Sequence, residues 1–152
     1  MGNKLAIKSR KKALTKIDDN NDVPFFSYKG EIDICKVSKV YDGDTIHIVR
    51  IIKKKPYRFK CRLLGIDTAE LRSSNEKEKE FAIKTRDFLA NLIYNEYVFV
   101  EFDDFDKYGR LLCNVYIDHK HLRNKLSINQ MLINEGYAKA YDGGTKIDFE
   151  NW

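Results

Sequence analysis

Cysteine is scarce in this chain and arranged for nothing: Cys35, Cys61 and Cys113 are odd in number, far apart and form no CxxC pair. That pattern argues against both a disulfide framework and a zinc site. It leaves buried free thiols in a reducing compartment as the simplest expectation. No apolar run approaches the length of a membrane span. The N-terminus also has no apolar signal core, because Leu5, Ala6 and Ile7 are hemmed in by lysines. An intracellular, cytoplasmic location is therefore expected. Low-complexity tracts and internal repeats are missing. Proline is rare as well: Pro24 precedes Phe25-Phe26, where the ordered domain is expected to begin, and Pro56 closes a run of lysines.

Charge and aromatic bulk are plentiful. Against 23 acidic residues stand 28 Lys and Arg, a formal charge of +5, and there are 9 Tyr and 9 Phe. A length of 152 residues suits one domain with a real core. The positive balance favours polyanionic partners. Residues 1–22 are basic up to Lys16 and then turn acidic through Asp18, Asp19 and Asp22, with few apolar positions. They are expected to form a mostly disordered arm ahead of a folded domain, residues 23–152. The opening Met-Gly-Asn resembles an acylation site on Gly2, although Ala6 stands where Ser or Thr is favoured. With Lys8, Arg10, Lys11 and Lys12 as a second signal, such a lipid would tether the chain to a membrane. A plain basic tail is the preferred reading.

Alternating apolar residues at Ile32–Tyr41 and Tyr57–Leu63 and a β-branched run at Thr45–Ile52 predict three strands joined by tight turns. The first connection is Asp42-Gly43-Asp44, a hairpin signal, and the second is Lys53–Pro56. A helix is predicted from about Glu76 to Tyr94, with Ser73 and Glu76 as a capping box. Strands follow at Tyr97–Phe102 and Arg110–Ile117. A second helix, about Ser127 to Glu135, has Ser127 with Gln130 as its capping box and ends at Gly136. The order βββ-α-ββ-α is that of a mainly β chain with helices, a five-stranded Greek-key barrel of the OB-fold type. A monomer is expected.

Three clusters carry candidate chemistry. In Asp42-Gly43-Asp44-Thr45 the two carboxylates share a face in extended chain, although a hairpin turn alone accounts for Asp-Gly. In the stretch Cys61–Leu71, CRLLGIDTAEL, Arg62 precedes two carboxylates, Asp67 and Glu70. Arg62 and Asp67 are an odd number apart and would face opposite ways in a straight strand, so Gly65 is expected to bend the chain and re-aim them. The third cluster is Asp106-Lys107-Tyr108-Gly109-Arg110. Its plain reading is a polar loop with Gly at positive φ. Asp104 and Asp106 do not open a calcium loop of the EF-hand type, because Val115 stands where that loop needs Glu.

Taken together and in this order, DGDT, RLLGIDTAE and DKYGR resemble the staphylococcal nuclease (thermonuclease) family over about Ile32 to Tyr141. The resemblance implies hydrolysis of DNA or RNA phosphodiesters to 3′-phosphate and 5′-hydroxyl ends. It implies that Asp44, Asp67 and the Thr68 carbonyl hold Ca²⁺, with Mg²⁺ or another divalent ion as a substitute. Glu70 corresponds to the glutamate usually assigned as general base, and Arg62 and Arg110 to the arginines on the reacting phosphate. Lys107, Tyr108 and Tyr141 correspond to residues near the terminal phosphate or the base. A hard, all-oxygen donor set suits Ca²⁺ or Mg²⁺ rather than zinc, and a guanidinium fork suits phosphate better than an ammonium does. Ala69 departs from the family's usual Pro, and the loop from Glu70 to the helix is short. The alternative is a non-catalytic nucleic-acid or protein-binding module of the same fold.

Overall fold

Branched and aromatic side chains on every second residue favour strands that bury one face, and here those strands close on themselves. The computed structural model describes residues 2–18 and 23–152. Its elements in order are α1 (Gly2–Leu14), β1 (Ile32–Val40), β2 (Thr45–Ile52), β3 (Lys55–Leu63), β4 (Ile66–Asp67), α2 (Glu76–Ile93), β5 (Tyr97–Phe105) and β6 (Leu111–Tyr116). Then come α3 (His119–Arg123), α4 (Ile128–Asn134), β7 (Lys139–Ala140) and a 3₁₀ turn at Phe149–Asn151. Five strands form a closed barrel in the order β1-β2-β3-β6-β5, while β4 and β7 pair separately. The barrel is antiparallel except where β3 runs parallel to β6. This is the expected five-stranded OB-fold, and closure removes the exposed strand edges that an open sheet would carry.

The inward positions of the strands, among them Val37, Ile48, Leu63, Val100 and Val115, make the core. Leu89 and Ile93 of α2 and Ile128 and Leu132 of α4 complete it. All three cysteines are free and buried, as expected. Burial, and then the nearby Asp33 charge, push the Cys35 thiol up to about 12. The Cys61 thiol is raised as well, first by its hydrogen bond with Cys113 and then by burial.

Several local expectations need correction. The N-cap of α2 is Asn75, whose Oδ1 accepts from the Lys77 and Glu78 amides, whereas Ser73 Oγ accepts only from the Asn75 amide. An Asn directly before the first turn is better placed than a Ser two residues earlier. Ser127 does cap α4, accepting from the Gln130 amide, but Gln130 Nε2 donates to Asn134 rather than reaching back. Residues 2–14 are helical where a disordered arm was expected. Ala, Leu, Lys and Arg are strong helix formers, and Lys11 and Lys12 sit favourably at the negative end of the dipole. From Asn3 onward the side chains of α1 are exposed, so its helicity rests on the backbone and not on packing. The acidic end of the arm, with Asp19 and Asp22, lies outside the described residues. Among the described residues no helix is long and apolar enough to cross a membrane.

One buried polar side chain ties three elements together. Asn129 of α4 donates through Nδ2 to the Leu64 carbonyl (2.9 Å) and the Cys113 carbonyl (3.0 Å), and its Oδ1 accepts from the Val115 amide (3.2 Å). Nothing in the helix pattern distinguishes it from a surface Asn. Asn129→Ala should lower stability by about 1–3 kcal/mol, because it strands buried backbone groups. Urea unfolding measures this, and an unchanged midpoint would show that the network contributes nothing.

Candidate functional site

The Asp42–Thr45 turn is built by its first side chain. Asp42 Oδ1 accepts from the amides of Asp44 (3.1 Å) and Thr45 (2.7 Å). Gly43 is not among the glycines at positive φ, so the expected Asp-Gly hairpin conformation is not what requires it. Space is the reason. A Cβ there would lie 2.6 Å from Thr85 Cγ2 of α2 and 3.0 Å from Thr68 Oγ1. Burial, and then the Asp44 charge, push the Asp42 carboxyl up to about 6, against the pull of its two amide hydrogen bonds.

Arg62 stands opposite Thr45 in the β2–β3 register. The chain turns after β3 at Leu64 and Gly65, where Gly65 has φ 78°, and the Arg62 side chain lies back across that turn. Its Nη1 donates to the Leu63 carbonyl (3.1 Å), and its Nη2 donates to the Ile66 carbonyl (2.9 Å) and pairs with Asp44 Oδ2 at 3.0 Å. A guanidinium held by two carbonyls and a carboxylate has little freedom, so its direction is set before any ligand arrives.

A second arginine approaches the same corner from β6. Asp44 Oδ1 accepts from Thr45 Oγ1 (2.8 Å), and Thr45 Oγ1 in turn accepts from Arg110 Nη1 at 3.4 Å. Asp106 holds Arg110 in place: Arg110 Nε donates to Asp106 Oδ2 (2.8 Å), and Asp106 Oδ1 accepts from the Tyr108 and Arg110 amides. Burial raises the Asp106 carboxyl, but these amides and the Arg110 guanidinium outweigh it and hold the group below the usual carboxylate range. Gly109 takes φ 75° to close the loop, as its position in the loop suggested.

These residues meet in one cleft of about 900 Å³. Asp44, Arg62, Thr68, Glu70, Arg110 and Tyr141 line it, with Lys107 and Tyr108. The Tyr141 ring lies 5.8 Å from the Arg62 guanidinium, and the exposed Tyr108 ring lies 5.6 Å from that of Arg110. Asp67, almost fully buried, lines the adjoining cleft with Lys139 and Thr145, and Lys146 of the main cleft lies 2.7 Å from its Oδ1.

Asp67 is only 5% exposed, and its Oδ1 has no hydrogen-bond partner. The cation beside it is one that no motif pointed to. Lys146 Nζ lies 2.7 Å from Asp67 Oδ1, an ion pair by distance whose angles fall outside hydrogen-bond geometry, and 2.8 Å from Glu70 Oε1. Burial works against the Lys146 charge, but Asp67 and Glu70 outweigh it and hold the ammonium above its ordinary range. Among the described residues no three His, Cys, Asp or Glu side chains converge closely enough to hold a metal ion. The donor chemistry suits a hard divalent ion, but a side-chain ammonium already pairs with Asp67 Oδ1.

Residues 60–150 match the family described as Staphylococcal nuclease homologue. Three relatives show the same kinship. An uncharacterized protein of Methanocaldococcus jannaschii is 31% identical over 126 residues, covering 70% of this chain and 58% of its own. The thermonuclease of Staphylococcus hyicus is 33% identical over 107 residues (69% and 57%), and that of Staphylococcus intermedius 31% over 125 residues (80% and 68%). The chain belongs to the staphylococcal nuclease homologue family. It spans a little over half the length of the first two of these relatives.

Within this nuclease homologue the matched stretch holds every candidate residue outside the Asp42–Thr45 turn, whose Asp44 joins the site through its ion pair with Arg62. The fit of α2 against the Asp42–Thr45 turn should therefore be sensitive to a single methyl group. Gly43→Ala should cost about 1–3 kcal/mol of stability by overpacking, and adding Thr85→Ser, which removes Cγ2, should recover part of it. Chemical denaturation of the single and double variants checks this. No recovery in the double variant would place the strain elsewhere.

Proposed function

We propose that this domain hydrolyses phosphodiester bonds of DNA or RNA with a divalent metal ion, Ca²⁺ or in its place Mg²⁺, leaving 3′-phosphate and 5′-hydroxyl ends. One observation carries the proposal: Arg62 and Arg110, from strands far apart in the chain, reach the same Asp44–Thr45 corner of one cleft. An anionic phosphodiester entering there meets two preformed guanidinium forks. Charge that builds on the phosphoryl oxygens as water adds is stabilised more than the ground state.

Water adds to phosphorus, its proton passing to the exposed Glu70 carboxylate, while the bond to the 5′ oxygen breaks and that oxygen is protonated from solvent. Asp44, Asp67 and the Thr68 carbonyl would hold the metal, which when bound supplies Lewis-acid polarisation of the phosphoryl group. Tyr141 is available for stacking on a base, and Lys107 and Tyr108 stand at the lip for a terminal phosphate or a second base. In this assignment residues 23–152 are the catalytic domain, acting as a monomer. Residues 1–22 are a basic arm that adds attraction for polyanions.

Cleavage of single-stranded DNA in Ca²⁺, abolished by EDTA, is the expected result. Arg62→Ala and Arg110→Ala should each lower kcat by roughly 10²–10³ while substrate affinity changes little, by analogy with the loss of one oxyanion donor. Wild-type turnover in either variant would remove the role assigned to it. A second possibility, a non-catalytic binding module, is favoured by the Lys146 ammonium that sits on Asp67 and Glu70. Binding without cleavage in any divalent metal, by folded protein, would select it.

A further inference from the structure

After β7 the chain makes a turn held by its own groups: Tyr141 Oη donates to the Gly144 carbonyl (2.9 Å), and Asp142 Oδ1 accepts from the Gly144 amide (3.0 Å). Three residues beyond Lys146 the segment is fastened again. The Phe149 and Trp152 rings lie 5.7 and 6.2 Å from the Phe81 ring of α2, and Trp152 Nε1 donates to the Ile147 carbonyl (3.1 Å). Lys146 is thus carried on a strap anchored on both sides, and its side chain lies across Asp67 and Glu70. Among the described residues it is the only cation paired with either carboxylate.

We propose that Lys146 is the resident counter-ion of Asp67 and Glu70, and that a divalent metal ion reaches Asp67, and Glu70 becomes free as a base, only when the Lys146 ammonium is displaced. The inference rests on the metal-dependent function proposed above. An ammonium 2.7–2.8 Å from both carboxylate oxygens stands within reach of the same lone pairs a hard cation would use. The two cations repel each other, so the ammonium weakens binding of a metal at the same oxygens. The Lys146 side chain is 47% exposed on a flexible four-carbon stem, so Nζ can swing into water while the strap stays in place. In the metal-free protein the lysine relieves repulsion between the two acids. The same contact reduces apparent metal affinity by the fraction of molecules in which the carboxylates are free.

Calcium titration of chelator-treated protein by calorimetry, without nucleic acid, tests the displacement. Lys146→Met should bind Ca²⁺ about two- to fivefold more tightly than wild type, the range expected from losing one partly exposed ion pair. Lys146→Arg, which keeps the charge, should stay near wild type. Lys107→Met removes the same charge from the same cleft without touching the acidic pair, and should give the smaller change. In wild type, acetylation of Lys146 by an N-hydroxysuccinimide ester, followed by mass spectrometry, should speed up when Ca²⁺ is added. Equal or weaker Ca²⁺ binding by Lys146→Met, or a gain no larger than that of Lys107→Met, would overturn the displacement and leave the metal-dependent function standing. Binding of neither Ca²⁺ nor Mg²⁺ by wild type or Lys146→Met would overturn both together.

Discussion

Parallel pairing of β3 with β6, Cys61 against Leu111 and Leu63 against Cys113, closes the barrel and brings the end of one strand beside the start of the other. Arg62 is the next-to-last residue of β3, and Arg110 immediately precedes β6. Without that pairing the two guanidiniums would belong to separate loops. The antiparallel β2–β3 register adds Thr45 opposite Arg62, and with it the Asp44 carboxylate. Buried apolar side chains and ladder hydrogen bonds hold the barrel, and the charged corner takes its geometry from that frame.

Three cations that line the cleft, Arg62, Arg110 and Lys146, are already partnered. Arg62 holds Asp44, Arg110 holds Asp106, and Lys146 holds Asp67 and Glu70. Pre-pairing fixes side-chain directions, which favours rapid recognition of an anion. It also means that any ligand must compete with a charge already present. The three pairs differ in how firmly they are built. Arg62 is clamped by carbonyls on both sides of the turn, and Asp106 by two amides. Lys146 has a half-exposed side chain and only its two carboxylates, which makes it the partner most easily exchanged.

Much of the fold was readable before any coordinates. Strands β1, β2, β3, β5 and β6 fall within a few residues of their predicted positions, because period-two alternation over six or more residues leaves little ambiguity. The same holds for α2 and α4. Elements of two to five residues, β4, β7 and α3, were not readable, since they are too short to show a period. The candidate residues Asp44, Arg62, Thr68, Glu70, Lys107, Tyr108, Arg110 and Tyr141 do line one cleft. Asp67 is almost fully buried and reaches that cleft through Lys146, which lines it and lies 2.7 Å from Asp67 Oδ1.

By itself the sequence determined the barrel, the helices that cover it, and the three acidic-basic clusters, because hydrophobic period and turn chemistry are local properties. Tertiary structure decided which charges face each other. Asn129 and Lys146 carry no local signal, and their partners lie far away along the chain. Coulomb and hydrogen-bond energies depend on distances of a few ångströms in space, and those distances exist only once the barrel has closed and the C-terminal strap has packed on α2.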